Sequence, residues 1–464
     1  MLQFYNTRTH SLQEFKPLVD NKVRMYGCGP TVYNYAHIGN FRANMFYDIV
    51  HRYLKYKGYD VTFAMNITDV DDKTIRSSRE KGQSLRDYTT FYMEEFFKDF
   101  ETLNIQKPSI VIRATDEIEA MVQLIELLLE KGHAYKAQSG DIFFKISSFP
   151  AYGQMANIDA SKLKANADGR LADEYEKEDA QDFALWKAWT PADGDAFWDT
   201  RIGKGRPGWH IECSAMGHKY LGQPFDIHLG GVDLIFPHHT NEIAQAECAY
   251  GSQFVNFWMH NAHLMVNGKK MAKSAGNFYT VRDLLAKGYS KRAIRYEYLK
   301  SHYRQTMDFV ENNMAGNQSA VDRFNNLMER LKTANGAGWP DVHATIDKAQ
   351  TAFETAMDAD LNTPEALAAV FELMSTVNKN FEAMNASDAA LVEQAIRRFD
   401  TVLGLLEDKA ETDLPDGAQE LIDKRQAYRL AKDWVHADAL KQQLLAMGVE
   451  VKDTPQGPVA KRIS

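Results

Sequence analysis

The chain of 464 residues is longer than one hydrophobic core usually supports, so we expect a large central domain with accessory domains. Its apolar fraction of 44% and charged fraction of 25% are those of an ordinary globular protein. The net charge of -9 argues against non-specific coating of nucleic acid, which depends on many Lys and Arg contacts to phosphate. Three cysteines do not make a disulfide framework, and no signal peptide or membrane-length apolar run is present. The sequence predicts a cytoplasmic protein without a membrane partner.

The first strong structural pattern lies near the N-terminus. Residues 23–27 alternate like a short strand, residues 27–40 are loop-like, and apolar residues recur at helical spacing over residues 45–54. The apolar run 61–65 predicts a second strand. Strand, loop, helix and strand form a βαβ unit, so the sequence predicts an α/β protein with a Rossmann-like domain.

This pattern is interrupted and then resumes. A strand is predicted near residues 141–146 in the interruption, and a strand from Phe225 and a helix over residues 238–250 mark the return of the α/β pattern. Beyond Met307 we expect helices only, and residues 407–417 resemble a linker before a small polar module. The predicted bounds are 1–113 and 205–306 for the split Rossmann-like domain, 114–204 for an inserted connective segment, 307–408 for a helical bundle and 409–464 for the last module.

Residues 30–40, Pro-Thr-Val-Tyr-Asn-Tyr-Ala-His-Ile-Gly-Asn, join the first strand to its helix. At such a position backbone N–H groups and the helix dipole face the crevice where a nucleoside triphosphate binds in open α/β sheets. Gly39 allows close approach of the ligand, and His37 can donate to a phosphate oxygen as charge develops. The alternative is that His37 and Asn40 only cap the helix, because so short a motif also occurs by chance.

A second candidate phosphate-binding segment is Lys-Met-Ala-Lys-Ser at residues 270–274, between Gly268 and Gly276. Two lysines on a glycine-flanked loop, Lys270 and Lys273, can neutralise the charge of a departing pyrophosphate. Taken alone, such a pair is more often part of a solvated loop.

Four residues form a candidate metal set: Cys28, Cys213, His238 and Glu242. Two thiolates, one imidazole and one carboxylate suit tetrahedral Zn²⁺, with Glu242 the ligand most easily displaced. The chain has no close-spaced cysteine pair, so spacing alone leaves open a buried, unliganded Cys28. Cys248 is expected in the hydrophobic core.

Together and in this order, the two phosphate-binding segments resemble the signatures of class I aminoacyl-tRNA synthetases, usually His-Ile-Gly-His and Lys-Met-Ser-Lys-Ser. Asn40 stands in place of the second histidine, and Ala272 in place of the first serine. Asn40 can donate a hydrogen bond but cannot take up a proton's charge, whereas Ala272 leaves both lysines in place.

Residues 27–31, 208–214 and 236–242 resemble the zinc segments of cysteinyl-tRNA synthetases, and the resemblance extends over nearly the whole chain. It implies a class I catalytic domain, a helical bundle that contacts the tRNA stem and a small α+β anticodon-binding module. It also implies activation of L-cysteine with Mg²⁺ and ATP, selection of cysteine by one zinc ion that its thiolate joins, and transfer to the 3′-terminal ribose of tRNA(Cys).

The resemblance assigns roles to particular residues. Asp226 or Asp233 would neighbour the cysteine pocket, and Leu229, where the family generally has glycine, would crowd the adenosine side. The implied sets are His37, Asn40, Lys270 and Lys273 for catalysis; Gly39, His37, Lys273 and Ser274 for ATP; Thr68, Trp209 and His228 for cysteine; Cys28, Cys213, His238 and Glu242 for zinc; and Arg429, Trp434 and Asp438 for the anticodon.

The last module and the overall activity have alternatives. Residues 425–448 are predicted to be one mixed-charge helical stretch with Trp434 and Asp438 on one face and Arg429 offset, and Trp434 could instead anchor a small core. The chain could also be a cysteine ligase acting on an amino-sugar acceptor, or a non-catalytic RNA-binding paralogue. Chain length and the intact lysines favour the tRNA enzyme, which we expect to be a monomer.

Overall fold

A computed structural model describes residues 1–158, 182–271, 276–407, 415, 417–454 and 457–462. The strands are β1 Gln3–Asn6, β2 Ser11–Glu14, β3 Lys22–Gly27, β4 Asp60–Ile67, β5 Ile110–Arg113, β6 Ala134–Lys136, β7 Ile142–Phe144, β8 Phe183–Ala188, β9 Trp198–Thr200, β10 Gly203–Pro207, β11 Phe225–Gly231, β12 Val255–Asn261, β13 Leu264–Val266, β14 Lys269–Lys270, β15 Met307–Phe309, β16 Val449–Thr454 and β17 Gly457–Arg462. The helices are α1 Ile38–Tyr56, α2 Asp72–Glu80, α3 Leu85–Thr102, α4 Ile118–Glu130, α5 Trp209–Leu221, α6 Thr240–Tyr250, α7 Val281–Ala286, α8 Lys291–Leu299, α9 Met314–Leu331, α10 Val342–Asp358, α11 Thr363–Asn380, α12 Ala386–Leu403, α13 Ala418–Leu430 and α14 Trp434–Ala446.

The central sheet has the order β12-β11-β3-β4-β5, and every neighbouring pair in it is parallel. The chain leads from β3 through α1 to β4 on one side, and from β11 through α6 to β12 on the other. The strand order therefore reverses between β3 and β11, and ligands bind outside the carboxyl ends of strands at such a point. The predicted α/β fold is confirmed, and the crevice lies at the ends of β3 and β11.

Helix α1 connects this crevice to the helical bundle. Because α1 is buried along most of its length, its polar side chains need partners inside the protein. Asp48 accepts hydrogen bonds from Arg52 at 2.8 Å and from Arg295 of α8 at 2.7 Å. Tyr53 donates to Asp358 at the end of α10, at 2.6 Å. These bonds join the second half of α1 to α8 and to α10 of the bundle.

The insertion contains an antiparallel sheet of order β6-β7-β8-β10-β9. Strand β10 continues past the boundary predicted at residue 204, and only Gly208 separates it from α5. A Cβ atom at Gly208 would lie 2.2 Å from the carbonyl oxygen of Ala184, so this close passage requires glycine. Residues 159–181 of the insertion lie outside the described residues.

Strands do not end at Met307 as the sequence pattern suggested. Met307–Phe309 pairs in parallel with β13, which also pairs with β14. Three residues are too few to produce a period-two signal, so this strand was invisible in the sequence. The predicted bundle is confirmed in α9 to α12, and Pro364 lies in the first turn of α11. Residues 408–414 of the predicted linker lie outside the described residues.

The last module combines α13 and α14 with the antiparallel hairpin β16-β17 around a small core. The prediction of one helical stretch over residues 425–448 is wrong, because residues 431–433 separate two helices. Lys432 has a φ of 60°, which cannot continue a right-handed helix, and the Asp433 side chain caps the start of α14. Within the described ranges, no helix has both the length and the apolar character that crossing a lipid bilayer requires.

Candidate active site

The predicted metal ligands Cys28, Cys213, His238 and Glu242 lie together, with one ligand atom from each within 4.8 Å of all the others. Cys28 directly follows β3, Cys213 lies on α5, and the other two come from the turn before α6 and from α6 itself. The Cys28 Sγ is 3.8 Å from the Cys213 Sγ, and His238 Nε2 is 3.1 Å from Glu242 Oε1. A tetrahedral zinc site with bonds of about 2.0–2.3 Å has edges of about 3.3–3.8 Å between ligand atoms. The donor types and spacing therefore fit one tetrahedral zinc ion.

The charges of this set are strongly coupled. Burial acts to raise the pKa of Glu242, but His228 and His238 hold it down at about 2. Burial also opposes ionisation of Cys213, whereas hydrogen bonds with Cys28 and His238 lower its pKa to about 6. Burial and the neighbouring Cys213 raise the pKa of Cys28. Cys213 and Glu242 are buried and Cys28 is half-buried, so the three acidic groups can all ionise only with compensating positive charge, which a divalent metal would supply.

Three histidines missed by the sequence reasoning surround the metal set: His210, His239 and His260. His239 Nε2 lies 3.2 Å from the Cys28 Sγ, and its Nδ1 lies 2.8 Å from His260. His210 Nδ1 lies 3.0 Å from His238 Nδ1. A second donor set, Cys28, His228, His239 and Glu242, also meets within 4.8 Å, so His239 is an additional candidate ligand. The run His238-His239 was the one available sequence signal.

The three residues predicted for the cysteine pocket all border the metal set. His228 Nε2 lies 2.8 Å from Glu242 Oε2, and the Trp209 ring lies 4.2 Å from the His238 ring. Thr68 donates to Glu212 at 2.6 Å, next to Cys213. Burial and the neighbouring Cys213 raise the pKa of Glu212, a carboxyl that the sequence reasoning did not identify.

Of the two aspartates named as neighbours of this pocket, Asp226 makes its contacts elsewhere. Asp226 is near the amino end of β11, where it accepts from the backbone amides of Leu18 and Arg24 at 2.6 and 2.8 Å. Asp233 is exposed after β11 and lines a cavity of about 420 Å³ with His260, the hydrogen-bond partner of His239. Leu229 is fully buried and packs within the main hydrophobic core.

The two predicted phosphate-binding segments meet at the N-terminus of α1. His37 and Asn40 cap that helix reciprocally, with hydrogen bonds of 3.2 and 3.0 Å between each side chain and the other residue's backbone amide. Ile38 donates to the carbonyl of Tyr279 at 2.9 Å, and the rings of His37 and Phe278 are 5.3 Å apart. The interpretation that His37 and Asn40 cap the helix is therefore confirmed. The cap also holds the His37 ring beside Phe278, which follows the second segment.

The lysine loop begins at the exposed Lys270, whose carbonyl accepts from Asn277 at 3.2 Å and so closes the base of the loop. Lys273 and Ser274 lie outside the described residues. A Cβ atom at Gly39 would lie 3.0 Å from the Met271 side chain, so glycine allows the loop to approach α1 closely. A cavity of about 220 Å³ beside the two segments is lined by His37, Asn40 and Phe278, among others.

Two of the three predicted anticodon residues are in contact. The Arg429 guanidinium lies 5.5 Å from the Trp434 ring and pairs with Asp453 at 2.9 Å. Trp434 is 54% exposed, so the alternative that it anchors a small core is wrong. Asp438 is exposed one helical turn further along α14. An exposed ring beside a guanidinium can stack with an unpaired base.

Comparison with known proteins decides the family. The family model of tRNA synthetases class I (C) catalytic domain matches residues 14–319, the DALR domain matches 352–407, and the cysteinyl-tRNA ligase anticodon binding domain matches 411–457. A cysteine–tRNA ligase of Brachyspira hyodysenteriae is 49% identical, and one of Solibacter usitatus is 45% identical, each over 99% of both chains. The chain belongs to the cysteine–tRNA ligase family.

A solved structure supports the same fold at low sequence identity. Mycobacterium tuberculosis methionyl-tRNA synthetase, bound by methionyl-adenylate, is 16% identical with a TM-score of 0.60 over 83% of this chain and 90% of that one. The anticodon binding domain is not expected of an amino-sugar ligase, and identities of 49% and 45% to cysteine–tRNA ligases over 99% of both chains favour the catalytic enzyme over a non-catalytic RNA-binding paralogue. Both alternatives therefore lose their support.

Proposed function

We propose that the protein is a cysteine–tRNA ligase that activates L-cysteine with ATP and transfers it to tRNA(Cys). The observation that supports this most directly is the position of the four-donor set at the crevice formed by β3 and β11. The two phosphate-binding segments meet at the same edge of the sheet, at the start of α1. Amino acid selection and nucleotide chemistry thus share one crevice.

In the proposed first step, the cysteine carboxylate attacks the α-phosphate of Mg-ATP, and pyrophosphate leaves. His37, fixed by its cap, donates to phosphate oxygens, while Lys270 and Lys273 neutralise the leaving group. Ser274, Gly39 and backbone amides complete the ATP contacts. In the second step, the 2′-hydroxyl of the 3′-terminal ribose attacks the carbonyl of cysteinyl-adenylate, and AMP leaves. Positioning and charge stabilisation suffice, so no protein nucleophile is needed.

For substrate selection we propose one zinc ion held by Cys28, Cys213, His238 and Glu242. When bound, zinc supplies a soft Lewis-acid position that favours a thiolate over a serine hydroxyl. His228 orients Glu242 through its 2.8 Å hydrogen bond, and Trp209 packs over His238 at the mouth of the pocket. Thr68 fixes Glu212 beside Cys213, so the wall of the pocket is rigid.

We further propose the division of labour given by the predicted bounds: residues 1–113 and 205–306 for adenylation, 114–204 for the inserted segment, 307–408 for tRNA stem contact and 409–464 for the anticodon. In the last module Arg429, Trp434 and Asp438 would read the anticodon. The exposed, guanidinium-flanked ring of Trp434 supports this assignment. We propose a monomer that acts in the cytoplasm, with a solution mass near 52.8 kDa.

The direct test is cysteine-dependent exchange of pyrophosphate into ATP, with other amino acids as controls, followed by charging of tRNA(Cys). We expect exchange with cysteine alone. A chain truncated after Asp408 should retain exchange and lose most tRNA charging, because the crevice lies wholly upstream. Exchange with another amino acid would refute the substrate. Full tRNA charging by the truncated chain would refute the assignment of the last module to anticodon binding. It would favour the alternative of a ligase acting on a small amino-sugar acceptor.

A further inference from the structure

Five aromatic residues lie together beside the crevice, here called the aromatic rim: Tyr33, Tyr35, Tyr88, Phe91 and Tyr92. Tyr88 is buried, and its hydroxyl donates to the carbonyl of Tyr33 at 2.8 Å. Tyr33 and Tyr35 come from the loop before α1, and the other three from the first half of α3. The Tyr35 ring is 6.3 Å from Phe91 and 5.4 Å from Tyr92. The Tyr92 ring lies 5.1 Å from Phe91 and 5.0 Å from Tyr88. Four of the rings therefore support one another edge to face, and Tyr33 is joined to them through the Tyr88 hydroxyl.

Two rings of the rim face solvent to an extent that core packing does not require. Phe91 is 48% exposed and Tyr33 is 38% exposed. The buried face of α3 is already occupied by Phe96 and Phe100, which stack on Phe41 of α1 or lie edge-on to it. Single exposed apolar residues are common on proteins, so exposure alone does not identify a ligand.

The position of the rim is the second observation. Tyr33, Tyr35 and Tyr92 line the cavity of about 220 Å³ whose wall includes His37 and Asn40, so the rim borders the nucleotide chemistry. The far end of α3 adjoins the bundle, where the Asn104 side chain donates to the carbonyl of Gly404 at 3.1 Å. The 18 residues of α3 span about 27 Å between these two places. A ligand that enters the cavity along α3 therefore passes the rim beside His37.

Two cations lie on the rim. The Arg282 guanidinium is 4.5 Å from the Tyr35 ring, and Lys73 Nζ is 5.9 Å from the Tyr33 ring. Arg282 also pairs with Glu95 and with Asp99, so part of its charge is compensated. The surface therefore presents mainly aromatic rings, with a smaller contribution from positive charge. This combination is typical of sites that bind single-stranded nucleic acid, where bases stack on rings and cations contact the backbone.

We infer that the aromatic rim binds a base of the single-stranded 3′ end of the tRNA, upstream of the terminal nucleotide. The inference rests on the proposed function, which requires the terminal ribose to reach the adenylate beside His37. The preceding nucleotides must then cross the edge of the crevice, and unpaired bases splayed from the strand can stack on Phe91 and Tyr33.

The test compares Phe91→Leu with Phe91→Trp in the full-length enzyme. Leucine keeps an apolar side chain and a high helix propensity at this exposed position, so the fold is preserved, but it removes the ring. Loss of one base–aromatic stack is worth about 1–3 kcal/mol, which converts to a fall of about 5- to 150-fold in kcat/KM for tRNA. Phe91→Trp should retain charging. Phe97→Leu, a ring-to-leucine change at a half-buried residue later on the same helix, controls for loss of a ring outside the rim and should charge normally.

Pyrophosphate exchange separates this inference from the proposed function. The expected result is that Phe91→Leu exchanges pyrophosphate like the unaltered enzyme and loses tRNA charging alone. Normal charging by Phe91→Leu would overturn the inference. A raised KM for ATP in the exchange reaction would also overturn it, because the rim would then bind the nucleotide substrate. Absence of exchange in the unaltered enzyme would instead refute the proposed function.

Discussion

Replacing His228 by alanine should weaken zinc binding although His228 is outside the proposed ligand set. Its Nε2 lies 2.8 Å from Glu242 Oε2, and both side chains are fully buried. Without the imidazole, one oxygen of Glu242 loses its partner in a dry environment, and the carboxylate loses its orientation. Outer partners of this kind contribute about 10- to 100-fold in metal affinity, or about 1.4–2.7 kcal/mol.

The assay is competition for zinc between the protein and a chromophoric chelator at fixed pH. His228→Gln places an amide N–H near the same position and should recover most of the affinity. His218→Ala is the control, because His218 stacks on Tyr250 at the other end of α5 and should leave zinc affinity unchanged. Thermal unfolding of each variant checks the fold. Equal zinc affinity in His228→Ala and the unaltered protein would refute the orienting role.

Three further predictions follow from the site and its surroundings. Cys213→Ser should lose zinc and cysteine-dependent exchange together, whereas Cys248→Ser should retain both, as elemental analysis and exchange assays can measure. Lys273→Ala should slow exchange about 10²-fold with little change in the KM for cysteine. Burial lowers the pKa of His51 to about 4, against about 6.5 in the unfolded chain. The stability that comes from keeping this imidazole neutral is therefore complete above pH 6.5 and is lost as the pH falls towards 4. In His51→Leu, the free energy of unfolding should therefore fall by about 3 kcal/mol less between pH 6.5 and pH 4 than in the unaltered protein.

Each of these has a contrary outcome. Metal retained by Cys213→Ser at full stoichiometry would point to the second donor set with His239. An unchanged exchange rate in Lys273→Ala would remove that lysine from the chemistry. An identical dependence of stability on pH in His51→Leu and the unaltered protein would place the acid-sensitive group elsewhere.

The long, periodic segments of the fold could be predicted from sequence. Strand β3, helix α1 and strand β4 follow from patterns of apolar residues that extend over many positions. The break between α13 and α14 could not, because one left-handed residue, Lys432, interrupts a stretch with helical composition on both sides. The strand at Met307 is too short to show a period.

The site was predictable only where a local motif or a family resemblance existed. Cys28 and Cys213 are 185 residues apart in sequence, and no spacing rule joins them. The contact of His239 with His260, and of His260 with Thr7, depends on how the turn before α6, strand β12 and the N-terminal segment pack together. Such contacts between distant segments leave no periodic signal in the chain.

Because α1 is attached to the bundle at one end and carries His37 at the other, a rotation of the helix about its attached end moves His37. Its 19 residues extend about 28 Å from the cap at His37 to the end that Arg52 and Tyr53 join to the bundle. A tilt of about 5° about the attached end would displace His37 by about 2 Å. A displacement of about 1 Å in a reacting group can change a rate about 10²-fold. The rate of adenylation should therefore depend on small rotations of the bundle helices.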